Sequence, residues 1–158
     1  MTGHVLSIRV SRRAIGVAIL ADDRLLVTDG HHLSSAAGKA APAAIRYVDR
    51  LMQSTRISNV VLEVPQHTSS SVTAAVVAAL RGLLQQRGYA PIVLTKSELL
   101  AAYGQPPLRN RIELRRTVAD FWPQLAAIHG QVSGYAVDAA AAALFGDVQL
   151  TFAPPTST

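Results

Sequence analysis

The sequence predicts an α/β fold: one domain on a five-stranded mixed sheet, with helices on both faces. Three observations carry this expectation. Apolar segments in the first thirty residues follow one another across short polar links, the way antiparallel strands are joined. Further along, helical and strand periodicities alternate, the pattern of parallel strands with crossover helices. The chain has 158 residues, 49% hydrophobic and 16% charged, which supplies one core and not two. The domain is expected over 1–150, with 151–158 (TFAPPTST) as a disordered tail.

Residues 4–10 (HVLSIRV) and 14–20 (AIGVAIL) read as strands, and the link Ser11-Arg12-Arg13 makes them a hairpin. Residues 24–29 (RLLVTD) add a third strand, completing an antiparallel meander. The stretch 30–42 (GHHLSSAAGKAAP) reads as a loop. A helix is expected from Ala43 to Ser54, because Ala44, Ile45, Val48, Leu51 and Met52 recur at helical spacing. Residues 59–64 (NVVLEV) form a buried strand stopped by Pro65. A second helix over 70–87 has serine cap candidates at its start and Gly88 at its end. Residues 91–95 (PIVLT) supply the fifth strand. A short helix over 97–103 is broken by Gly104-Gln105-Pro106-Pro107, and helices over 110–121 and 134–145 close the domain.

Composition narrows the function classes. The chain contains no cysteine, which excludes disulfides, cysteine nucleophiles and thiolate metal sites. The longest apolar stretch, at 72–80, is far short of the roughly 20 residues that span a bilayer. The N-terminus lacks the basic-then-apolar layout of a signal peptide, so no membrane partner and a cytoplasmic location are expected. Fifteen basic residues face ten acidic ones, and all the basic residues except Lys39 and Lys96 are arginine. Guanidinium forks bind phosphate bidentately, so this balance is compatible with nucleic acid as a partner. A coding bias toward Arg and Ala would leave the same composition.

Residues 7–16 (SIRVSRRAIG), followed by VAIL, carry a further signal. They align without a gap on the opening of RuvC-type Holliday-junction resolvases, G-I-D-P-G-x-x-x-x-G and then a V-A-V-like strand. Ile8 and Gly16 match; Ser7, Val10 and Ser11 stand at Gly, Pro and Gly, and Arg9 stands at the first catalytic Asp. Val61-Leu62-Glu63-Val64 resembles the end of the family's fourth strand. Asp138-Ala139-Ala140 resembles the opening of its last helix. The order and spacing of the three segments cover about 4–146, so the chain resembles a diverged member of that family, within the ribonuclease H-like superfamily.

The resemblance implies chemistry that these residues do not fully support. The family's two-metal hydrolysis of phosphodiesters needs carboxylates, because magnesium is a hard ion that takes oxygen ligands. Glu63 and Asp138 stand at two of those positions, but Arg9 stands at the position shared by both metals. A guanidinium ligates no cation and stays protonated. Tyr135 and Ala141, three residues either side of Asp138, leave the fourth acidic position empty. The expectation is therefore no metal centre, with Arg9 bridging Glu63 and Asp138 in place of the ions. Without the resemblance, Glu63 reads as a solvent-facing strand end, Arg9 as an exposed strand residue, and Asp138 as a first-turn helix residue.

Arg12 and Arg13 in the hairpin turn, and Arg109, Arg111, Arg115 and Arg116 after the Gly104 turn, are the candidates for holding nucleic acid. Branched or duplex DNA is the expected ligand. His31 and His32 lack a third ligand at useful spacing. His67 through Ser71 reads either as phosphate contacts or as a helix cap. The segment SVTAAVVAALRGLL is apolar nearly all round, so one side is expected on the sheet and the other on a second copy, giving a homodimer.

The leading expectation is a RuvC-like nucleic-acid-binding protein with a degenerate centre, not catalytic and without cofactor. One alternative is an active magnesium-dependent junction endonuclease with relocated ligands, for which Asp29 and Asp49 are the spare carboxylates. Another is a protein-interaction subunit with no nucleic-acid role.

Overall fold

The computed structural model of the chain describes residues 3–22, 24–67, 70–123 and 138–145. The tail 151–158, Tyr135, and the first turn expected of the last helix lie outside the described residues. The strands are β1 (His4–Val10), β2 (Ala14–Ala21), β3 (Arg24–His32), β4 (Ile57–Glu63) and β5 (Ile92–Leu94). The helices are α1 (Ala37–Ser54), α2 (Ser71–Gln86), α3 (Lys96–Ala102) and α4 (Arg111–Phe121), and residues 138–145 form a further helical segment.

The sheet order is β3-β2-β1-β4-β5. β1 pairs antiparallel with β2, and β2 with β3, while β1–β4 and β4–β5 are parallel. β2 is buried at every position, as expected of an inner strand covered on both faces. Strand alternation then assigns the faces. Leu6, Ile8 and Val10 join the core under α1 and α2, with Val76 and Leu80. Val5, with Val61 of β4, joins the opposite core, built with Leu99, Leu114, Val118 and Ala139–Ala143. Ser7 and Arg9 share the face of Val5, so the candidate site lies beneath α4 and the 138–145 helix.

Several boundaries differ from the sequence reading, each for a physical reason. β3 runs on through His31 and His32, which pair with Ile15 and Ala14; the register of β2 extends the strand into a segment of weak local propensity. α1 begins at Ala37 and contains Pro42. Proline there removes the bond to the Gly38 carbonyl, but both residues are exposed, so water can satisfy that carbonyl. α2 buries one face within the single chain and leaves open the side expected on a second copy. It turns Thr73, Val76, Leu80, Leu83 and Leu84 inward and packs beside α1, while Ala74, Ala75 and Ala78 face out. Alanine counts as apolar in a periodicity reading, yet its small side chain costs little when exposed.

Helix ends are specified locally. Ser70 accepts from the Thr73 amide at 3.4 Å, the capping role among the two readings of that segment. α2 closes with Gly88 at φ +82, where the Gly88 amide bonds the Gln85 carbonyl and the Tyr89 amide bonds the Leu84 carbonyl. That is a Schellman closure, and it needs glycine at the left-handed position. Among the described residues, no helix is long and apolar enough to cross a membrane.

Candidate functional site

The site begins with register. Arg9 lies opposite Glu63 across the parallel β1–β4 pair, and opposite Gly16 across the antiparallel β1–β2 pair. Gly16 in turn faces Gly30, and Glu63 faces Leu94. The row across the sheet therefore reads Gly30, Gly16, Arg9, Glu63, Leu94. Two positions without side chains flank Arg9 on one side, and its in-register carboxylate lies on the other.

Asp138 completes the group from above, at the start of the described helix 138–145. That helix is seated by its alanines in the core and by the Tyr103 hydroxyl, which donates to the Ala141 carbonyl. Burial pushes the Tyr103 hydroxyl pKa well up, so it remains a donor throughout the ordinary pH range.

The side chains converge. Arg9 Nε lies 2.9 Å from Glu63 Oε2, and Arg9 Nη1 lies 3.0 Å from Asp138 Oδ2. Arg9 is 11% exposed and Glu63 2%, so neither takes its solvent-exposed alternative reading, and Asp138 is fully buried beside them. Two further guanidiniums enter from α4. Arg111 Nη1 donates to Glu63 Oε1 at 3.2 Å and lies 3.5 Å from Asp138 Oδ2. Arg115 grips Asp138 with both Nε and Nη2, each at 3.1 Å, the fork geometry that suits a carboxylate.

α4 can deliver both arginines because they stand four residues apart, beside the buried Leu114 and Val118. Its start is fixed by Asn110, which accepts from the Glu113 amide at 3.0 Å, while Glu113 accepts from the Arg109 amide at 2.7 Å.

Three guanidiniums against two carboxylates leave one positive charge in excess. Burial raises the Glu63 pKa above the usual carboxylate range, and Arg111 and Arg9 partly offset this. The group is thus a buried ion-pair network in which every carboxylate oxygen faces a cation.

The donor set does not fit a pair of magnesium ions. Among the described residues, two carboxylates are present where hard cations need several oxygen ligands, and three permanent cations lie within 3.5 Å of those oxygens. Among the described residues, no group of three His, Cys, Asp or Glu side chains could hold a metal elsewhere.

The spare carboxylates are engaged away from the site. Asp29, on β3, accepts from the Tyr47 hydroxyl and the Gly30 amide. Asp49, on α1, pairs with Arg87 at 2.6 Å. His31 stacks on Tyr47 with ring centroids 4.8 Å apart, and His67 is exposed.

The arginines expected on nucleic acid divide into two sets. Arg12, Arg13, Arg109 and Arg116 are exposed, and Arg109 lies 3.9 Å from Glu113. Arg111 and Arg115 turn inward and bind carboxylates. The signal that separates them is phase: Arg111 and Arg115 border the Leu114–Val118 stripe, and Arg116 does not. Sequence reasoning missed Lys96 and Gln66. Both line an open cleft of about 340 Å³ with Arg9, Arg12, Glu63 and Arg111. Their neighbourhood follows from the register of the parallel β4–β5 pair, which no local pattern announces.

No protein-family model matches the chain, and no curated protein matches it in sequence. Solved structures do match it in three dimensions. The Thermus thermophilus RuvC structure aligns with a TM-score of 0.77 at 14% identity, covering 95% of this chain and 96% of that one. T. thermophilus RuvC in complex with Holliday junction substrate aligns with a TM-score of 0.75, at the same identity and coverage. The chain therefore has the RuvC-like, ribonuclease H-like fold over nearly its whole length.

Proposed function

We infer that this chain is a nucleic-acid-binding protein of RuvC-like fold whose acidic centre is neutralised by arginine rather than by metal, and that it does not hydrolyse phosphodiesters. The observation that carries this reading is the position of Arg9, held within 3.0 Å of both Glu63 and Asp138. A cation that cannot activate water fills the place where charge neutralisation is needed. The cleft beside it, with Arg9, Arg12, Lys96 and Arg111 around a single lining carboxylate, favours an anion such as a backbone phosphate. The likeness to a RuvC solved with a Holliday junction supports DNA, and a branched junction, as the first ligand to try.

The test is a cleavage assay on a four-way DNA junction with magnesium or manganese, beside a gel shift on the same junction. Binding without cleavage is the expected result. Cleavage by the unmodified protein overturns the reading in favour of a metal-dependent endonuclease. The Arg9→Asp variant is expected to stay inactive, because Arg111 and Arg115 still occupy the carboxylates. The reading includes a two-fold dimer formed through the exposed alanines of α2. Light scattering is expected to give twice the chain mass, and a monomer at micromolar concentration contradicts that part.

A further inference from the structure

The β1–β2 turn separates two polar clefts. On one side is the cleft beside Arg9 and Glu63. On the other is a larger one of about 520 Å³, whose polar lining is Arg12, Arg13, His32, Ser35 and Ser70. Arg12 lines both, so it is the wall they share.

The two differ in charge. The first holds Glu63 and commits two of its four lining cations, Arg9 and Arg111, to buried carboxylates. The lining of the second includes no carboxylate. Among the described residues, neither Arg12 nor Arg13 has an Asp or Glu within ion-pair distance. Their charge is available to a ligand.

The turn that presents them is tied down. The Ser11 amide and hydroxyl both donate to the Ala14 carbonyl, at 3.0 and 2.8 Å, and the Leu33 amide donates to the Arg13 carbonyl at 2.8 Å. The hairpin is thereby joined to the segment after β3. Two guanidiniums on a held backbone lose less freedom on binding than they would on a loose loop. Guanidiniums only donate, and the hydroxyls of Ser35 and Ser70 can donate as well, so the cleft suits an acceptor-rich anion.

We propose that this second cleft is a phosphate subsite for a nucleic-acid strand that crosses Arg12 from the cleft beside Arg9. Arg13 holds a backbone phosphate there, and Arg12 holds the phosphate at the shared wall. The proposal rests on the nucleic-acid-binding reading and adds a location outside the acidic centre.

Fluorescence anisotropy with a labelled four-way junction and with one of its duplex arms, each titrated at several salt concentrations, tests it. Each phosphate contact contributes about 0.9 to the slope of log affinity against log salt. Arg13→Ala is expected to make that slope shallower by about 1, and to weaken binding about eightfold near 0.1 M salt. Arg12→Ala is expected to do at least as much. Arg50→Ala removes an exposed cation from α1 and serves as the remote control. Arg13 is exposed and its backbone bonds survive truncation, so the variant tests binding rather than folding.

If the unmodified protein binds and Arg13→Ala behaves as Arg50→Ala does, the subsite is wrong and the wider reading stands. If the unmodified protein shows no salt-dependent binding to either DNA, both fall.

Discussion

Replacing Arg9 separates a structural cation from an incidental one. Its two contacts, at 2.9 and 3.0 Å, are each worth about 5.5 kcal/mol of gross attraction at an effective dielectric near 20. Most of that offsets the cost of burying the charges, and breaking such a pair typically costs about 3–5 kcal/mol net. Arg9→Met keeps the volume and removes the charge. Arg111 and Arg115 still face the two carboxylates, so a loss of about 3 kcal/mol is expected, the lower end of that range.

Arg9→Asp adds a third carboxyl to the same space. Rather than bear the full repulsion, one carboxyl takes up a proton. From a reference pKa near 3.9 and about 1.4 kcal/mol per unit, that costs at most about 4 kcal/mol at pH 7 and about 1.5 kcal/mol at pH 5. The Asp variant is therefore expected to be less stable than the Met variant at pH 7, by up to about 4 kcal/mol, and to recover most of the gap by pH 5. The assay is urea unfolding of the two variants at both pH values, comparing midpoints and slopes. Equal stability at pH 7, or a gap that does not shrink at pH 5, would refute the placement of Arg9 between the carboxylates.

Three more predictions follow from the same geometry. Because burial raises the Glu63 pKa, its contribution to stability is fully present below the unfolded value and is lost as pH rises through the folded value. Relative to Glu63→Gln, the unmodified protein should thus lose stability from mildly acidic toward neutral pH; a flat difference across paired denaturation curves contradicts this. The Ser7 hydroxyl is buried and makes no hydrogen bond among the described residues, so Ser7→Ala should leave stability unchanged or raise it by about 1 kcal/mol, read from urea midpoints. Magnesium and EDTA should each leave the thermal midpoint within about 1 °C. A metal bound at a hundred times its Kd would add about 2.7 kcal/mol, a shift of about 5–10 °C for a domain of this size.

Much of the frame was legible in the sequence. Alternating or continuous apolar runs placed all five strands, because a pleated strand with one or two buried faces leaves that trace locally. The resemblance of the Arg9, Glu63 and Asp138 segments to RuvC-type motifs pointed to three residues whose side chains the structure brings together. Gly88 and Ser70 marked the ends of α2, because caps act within one turn of helix.

Tertiary structure decided what local pattern could not carry. Whether Arg9 meets Glu63 depends on the parallel register of β1 on β4, which is set by contacts between segments far apart in the chain. Whether Arg111 and Arg115 face solvent or the carboxylates depends on which stripe of α4 the core buries. Sequence reading had all six arginines outside, and the packing of Leu114 and Val118 turned these two in. β3 reaches His32 because β2 offers it a ladder, not because its residues favour a strand. The residues and their order came from the sequence. The division of the arginines between a buried network and a free surface came only with packing, because charge becomes buried or exposed only when the chain closes around it.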